Sequence, residues 1–130
     1  MSTNHPRHPS SVGYFVAQAV ATLAWWALMA WSPEWRRWFA FGDDGASLWV
    51  FFPTDVLFWC GGSLAAAIGA CWQTRWAMPV ACVLCGAIAA SLLHAATLAA
   101  QARAGWPGVL LMVPALALTL FFTWHSNRDA

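Results

Sequence analysis

Long apolar stretches separated by short polar ones set the pattern of this chain. Between Arg7 and Glu34, Asp55 and Arg75, Arg75 and Arg103, and Arg103 and Arg128 there is no Asp, Glu, Lys or Arg. Each interval holds 18 or more residues, and a helix needs about 20 to cross a hydrocarbon layer roughly 30 Å thick. The pattern predicts four transmembrane helices, over residues 12–31, 51–71, 77–100 and 107–124. The first run follows Arg7, as in a secretory signal. It is too long for the usual h-region of about 7–15 residues, and a cut after Ala30 would put Leu28 where a small residue is required. It reads as a retained helix.

The connectors carry their own signals. Residues 1–11 are polar, with two prolines, and read as a disordered tail; residues 125–130 form a second polar tail. In the first loop, Ser32 suits a helix cap, Pro33 the first helical position and Glu34 the positive helix start. Trp35, Trp38 and Phe39 then share one face and Arg36 and Arg37 another, so the segment reads as a short amphipathic helix on the membrane surface. Gly42-Asp43-Asp44-Gly45 reads as a solvated acidic turn, since two carboxylates supply far fewer oxygens than calcium needs. Trp72 to Trp76 is a tight connection that makes spans two and three an antiparallel hairpin centred near Gln73. Pro107 opens the fourth span, and Pro114 lies inside it, where it removes the hydrogen bond to Leu110 and predicts a kink. Eight of the eleven tryptophans fall at predicted interfaces, the belt expected where an amphipathic ring meets headgroups; only Trp25, Trp26 and Trp59 lie deeper.

Composition sharpens the class. Hydrophobic residues are 61% of the chain and charged residues 8%, against about 25% charged in soluble domains. The expected fold is an all-α membrane protein, an up-down bundle of four transmembrane helices with one interfacial helix in the first loop. Its partner is the lipid bilayer, with self-association or a membrane-protein partner as a further expectation. A net charge of +1 excludes an electrostatic nucleic-acid binder. Arginines divide equally between the two sides, with Arg7, Arg75 and Arg128 against Arg36, Arg37 and Arg103. The expected setting is a bacterial inner membrane with both termini cytoplasmic, because no cleaved signal exports the first tail.

The candidate chemistry is sparse. Asp55 is the only acid inside an apolar segment, and an ionisable group in a span is by default a functional-site hypothesis. On span three, Ser91, His94, Thr97 and Gln101 follow steps of three, three and four and read as a polar stripe opposite Asp55 across the hairpin. The functional reading is a polar pocket for a lipid, ion or small ligand; the structural one is a carboxylate settled near a helix start. Span two also carries rows of small residues, Gly61, Ala65 and Gly69 beside Gly62, Ala66 and Ala70, which invite close helix packing. An accessory or structural bundle packing through that ladder is the first expectation. Gln18 and Thr22 on span one, and Thr119 and Thr123 on span four, are expected to hydrogen-bond between helices.

Cys82-Val83-Leu84-Cys85 is a CxxC, a pattern that serves dithiol exchange or metal binding. The tetrapeptide, in a small four-span chain, resembles the CVLC motif of the bacterial inner-membrane quinone-linked disulfide oxidases, and the resemblance implies thiol chemistry at these two residues. That family carries a second cysteine pair in an aqueous loop, whereas Cys60 and Cys71 lie in span two, and here Gly86-Ala87-Ile88 follows the motif. Cys60 and Cys71 share a face turned away from Asp55, so the thiols are expected as small hydrophobes directed to lipid or a flank. No catalytic motif such as HExxH or GxSxG is present, and no metal site or cofactor is expected.

Overall fold

The structure is a computed structural model that describes residues 9–43 and 45–128, with side chains through Ser126. It contains no strand among the described residues and is built from five helices: α1 (Pro9–Trp31), α2 (Pro33–Phe39), α3 (Ser47–Cys71), α4 (Ala77–Ala102) and α5 (Trp106–Arg128). Four of them, α1, α3, α4 and α5, are long and apolar enough to cross a membrane. Helix α1 starts at Pro9, inside the tail expected over residues 1–11, whose first eight residues lie outside the described residues together with Asp44, Asp129 and Ala130. At the other end, α5 takes in His125 to Arg128 and runs through Pro114.

The elements form for local reasons. At α2, the Ser32 hydroxyl accepts from the Trp35 N–H at 3.5 Å and Pro33 occupies the first turn. Helix α3 ends in a left-handed residue that is not glycine: Gln73 has φ 52°. Around it the Thr74 N–H reaches the Gly69 carbonyl at 3.0 Å and the Gln73 N–H reaches that of Ala70 at 3.4 Å, the paired closure of a Schellman cap. This closure turns the chain into α4. Gly62 lies against Leu84, and Gly69 against Ala77, so the contacts are placed symmetrically about Gln73 and the two helices run antiparallel.

Packing follows the small residues. Ala66 and Ala67 of α3 are buried with Phe15 of α1 and with Ala81, Leu84 and Ile88 of α4. A second cluster joins Trp26 and Met29 to Phe39 and Leu48, holding α2 and the following loop on α1. A third joins Ala95 and Ala99 of α4 to Val109 of α5. Outward positions are large and apolar, with Leu93 at 71% exposed and Val20 at 60%. Such a distribution suits lipid as solvent, because hydrocarbon does not drive apolar side chains inward and close approach of small residues becomes the packing force.

The first loop is anchored by polar contacts. Arg36 donates from Nε to the Met29 carbonyl at 3.0 Å, and its guanidinium sits 5.8 Å from the Trp49 ring. Asp43 accepts from the Gly45 N–H (2.9 Å), the Ser47 N–H (2.9 Å) and the Ser47 hydroxyl (3.0 Å). Desolvation pushes the Asp43 carboxyl up, but these donors together outweigh it and hold the group below its usual range.

Candidate functional site

Asp55 opens an unusual stretch of α3. From Asp55 to Gly61 the helix is wound as a π-helix, before returning to α geometry at Gly62. Single π turns concentrate at functional positions. Within it, Asp55 takes its hydrogen bond from α1: Trp26 Nε1 donates to Asp55 Oδ2 at 3.1 Å. The Trp26 ring packs against both Trp49 (5.7 Å) and Phe52 (5.1 Å), which restrains the direction of its N–H.

Three polar atoms along one row of α3 are buried and have no hydrogen-bond partner among the described residues: Asp55 Oδ1, Trp59 Nε1 and Ser63 Oγ. Buried polar groups are paired in the large majority of cases, so three in succession mark this row as unusual. Among the described residues, no arginine or histidine forms an ion pair with Asp55. The Asp55 carboxyl has a single neutral donor.

Asp55 and Trp59 form part of the wall of a cavity of about 280 Å³. Gln18, Thr22 and Trp25 of α1, Phe39 of α2, Ala95 of α4, and Gly108, Met112 and Ala115 of α5 also line it, with Phe41, Leu48 and Phe51 from the intervening loop and the start of α3. Its surface is mainly aromatic and aliphatic, and its polar groups are Asp55, Gln18 and Thr22.

Beyond Gln18 a hydrogen-bonded cluster ties α1 to α5. The Gln18 amide donates to Thr119 Oγ1 at 3.2 Å, and Tyr14 Oη lies 2.8 Å from the same oxygen. Thr119 donates to the Ala115 carbonyl at 2.7 Å, and the Tyr14 hydroxyl reaches the same carbonyl at 3.2 Å. Thr22 donates to the Gln18 carbonyl at 2.9 Å. One step nearer the ends of the helices, Ser126 donates to Ser11 at 2.7 Å.

The stripe on α4 does not assemble around Asp55 as expected. Ser91 is buried, but His94, Thr97 and Gln101 are exposed. The His94 ring lies 5.3 Å from Phe51, and Thr97 donates to the Leu93 carbonyl of its own helix. Each step of three residues falls about 60° short of a full turn, so the stripe drifts off the buried row, which instead runs through Ser91, Ala95 and Ala99. Ser91 and His94 are not among the residues lining the cavity.

The small-residue rows also divide. Ala66 and Gly69 are buried and Gly62 is half-buried against Leu84, so these are used inside the chain; Ala65 is half-buried and Gly61 is exposed. Two of the four thiols depart from the expectation of a lipid or flanking position. Cys60 and Cys85 are buried, while Cys71 and Cys82 are exposed, and all four are free. Cys85 points to α5, 3.5 Å from the Thr123 hydroxyl. No group of three His, Cys, Asp or Glu side chains among the described residues converges to hold a metal ion.

The residues that sequence reasoning left out of the site are Trp26, Trp59 and the aromatic lining. A signal was present: Trp26 and Trp59 are among the three tryptophans away from the interfaces, each bringing an N–H that needs an acceptor, and Asp55 is the only acid within reach of the spans. The chain matches no protein-family model, no curated protein and no solved structure.

Proposed function

We propose that this is a small integral membrane protein that binds a small amphiphile in the cavity beside Asp55. In this reading the four long helices cross the bilayer in alternating directions, and α2 lies at the surface as the roof of the cavity. One observation carries the reading: an acid without a cationic partner among the described residues lies in the wall of a mainly apolar cavity of about 280 Å³. Ligand sites are typically concave, mostly apolar and equipped with a few placed polar groups. At roughly 30 Å³ per water-sized unit, the space suits a molecule of on the order of ten non-hydrogen atoms. A purely structural bundle is less well supported, because the buried members of the small-residue ladder, Ala66 and Gly69, are already used within the chain. Self-association through the outward Gly61 and Ala65 row is compatible with this reading and is not required by it.

The test uses 1-octanol as probe on protein in phosphatidylcholine nanodiscs, by calorimetric titration against empty discs. A Cβ at Gly108 would meet Phe39 at an ordinary 3.6 Å, so a larger side chain can enter the cavity there without a backbone clash. Saturable binding to the wild type, lost in Gly108→Leu, is the expected result. Equal heats for wild type and Gly108→Leu would refute the reading.

A further inference from the structure

Building on the cavity reading, we infer that the polar group of the bound amphiphile is an ammonium cation. The first argument is charge. Asp55 is the only ionisable side chain lining the cavity, and its one hydrogen bond comes from a neutral indole. A cation is the ligand group that would compensate an ionised carboxylate there. An alcohol would supply a hydrogen bond without balancing the charge, and an acid would add repulsion. The second argument is the wall. Trp25, Phe39, Phe41, Phe51 and Trp59 all border the same space. Aromatic faces attract a cation through their quadrupoles, and more strongly where water is excluded, which is why ammonium ligands are recognised by aromatic cages. The third is size and shape. A single carboxylate in a lining that also includes Leu111, Met112 and Ala115 fits a single charged head on a short hydrocarbon body. Arg36 is engaged elsewhere: its Nε donates to the Met29 carbonyl and its guanidinium rests on Trp49. No described side chain of the protein itself supplies the missing cation.

The reaction of the site to a matched set of probes tests this. Protein in phosphatidylcholine nanodiscs is titrated with n-octylamine, which is protonated at neutral pH, with 1-octanol and with octanoate, each corrected for empty discs. Wild type is compared with Asp55→Asn, which keeps an oxygen for Trp26 Nε1, and with Gly108→Leu. We expect n-octylamine to bind the wild type at least about tenfold more tightly than 1-octanol, the difference between a charge-assisted and a neutral hydrogen bond. Octanoate should not bind. In Asp55→Asn the preference for the amine should vanish while 1-octanol binding persists, and Gly108→Leu should lose both. Octanol binding as well as the amine in the wild type, or an amine preference that survives Asp55→Asn, would overturn the ammonium assignment and leave the cavity reading standing. Binding of no probe would overturn both. Circular dichroism and size-exclusion profiles of Asp55→Asn, together with its retained octanol binding, separate a lost charge from a lost fold.

Discussion

Gly69→Ala tests whether the small residues of α3 are spent inside the chain. A Cβ on Gly69 would lie 2.8 Å from the Ala77 Cβ, 3.0 Å from the Ala77 Cα and 3.0 Å from Trp76 Cζ3. Carbon atoms settle at about 3.5–4.0 Å, and the two Ala77 atoms are fixed to the backbone, so they cannot swing aside. The closed end of the α3–α4 hairpin would have to spread by the better part of an ångström, and overpacking of this kind costs about 1–3 kcal/mol. Ala in place of Gly returns about 1 kcal/mol of helix propensity. Gly61→Ala gains the same propensity, but its Cβ would meet only the Val56 carbonyl of its own helix, at 3.6 Å. Propensity cancels between the two variants. Gly69→Ala should therefore be less stable than Gly61→Ala by about 1–3 kcal/mol, with Gly61→Ala at or above the wild type. Unfolding in mixed micelles by titration with sodium dodecyl sulfate, followed by circular dichroism, measures the difference. Equal stabilities, or a less stable Gly61→Ala, would refute the packing of α3 described above.

Three further outcomes follow from the polar contacts. Trp26→Phe removes the one donor to Asp55 and should destabilise the protein by about 1.5–3 kcal/mol; adding Asp55→Leu should recover part of that loss in the same unfolding assay, and no recovery would mean that the ring, not the N–H, matters. Thr119→Val removes the hydroxyl that Gln18 and Tyr14 share across α1 and α5, and should cost about 1 kcal/mol given that interhelical bonds in membranes average about 0.6; a Gln18→Leu variant should then add less in the Thr119→Val background than in the wild type. Asp43 has a folded pKa below its ordinary value of 3.8, so its contribution to loop order is complete above that value and lost as pH falls through the lowered one. The amide resonances of Gly45 and Ser47 should report a midpoint below 3.8, and a midpoint at or above it would contradict the three hydrogen bonds to this carboxylate.

The parts of this structure that sequence made legible are those decided by length and by neighbours in the chain. Intervals without charge gave the four long helices, and the short Trp72–Trp76 connection gave the hairpin and its centre, as the contacts of Gly62 with Leu84 and Gly69 with Ala77 show. Ser32 and Pro33 announced the start of α2. The partner of Asp55 was not legible because hairpin reasoning considers only helices adjacent in sequence. It looked from α3 to α4, while the hydrogen bond comes from α1, 29 residues earlier. The same limit hid the cavity, whose wall draws on all five helices. The α4 stripe failed for a geometric reason: steps of three rotate off the buried row, and only Ser91 stayed on it. Thr119 was legible as an interhelical group, since a threonine in a span seeks a partner, but its sharing by Tyr14 and Gln18 was not. The π winding over Asp55–Gly61 has no signature in its residues.

The most direct measurement of the central claim is a crystal structure of the protein soaked with 8-bromooctylamine, with the bromine located by anomalous scattering. The account places the bromine in the cavity beside Leu111 and Met112, with the ammonium nitrogen within hydrogen-bond distance of Asp55. Bromine found only on the lipid-facing surface, with the cavity unoccupied by the probe, would contradict it.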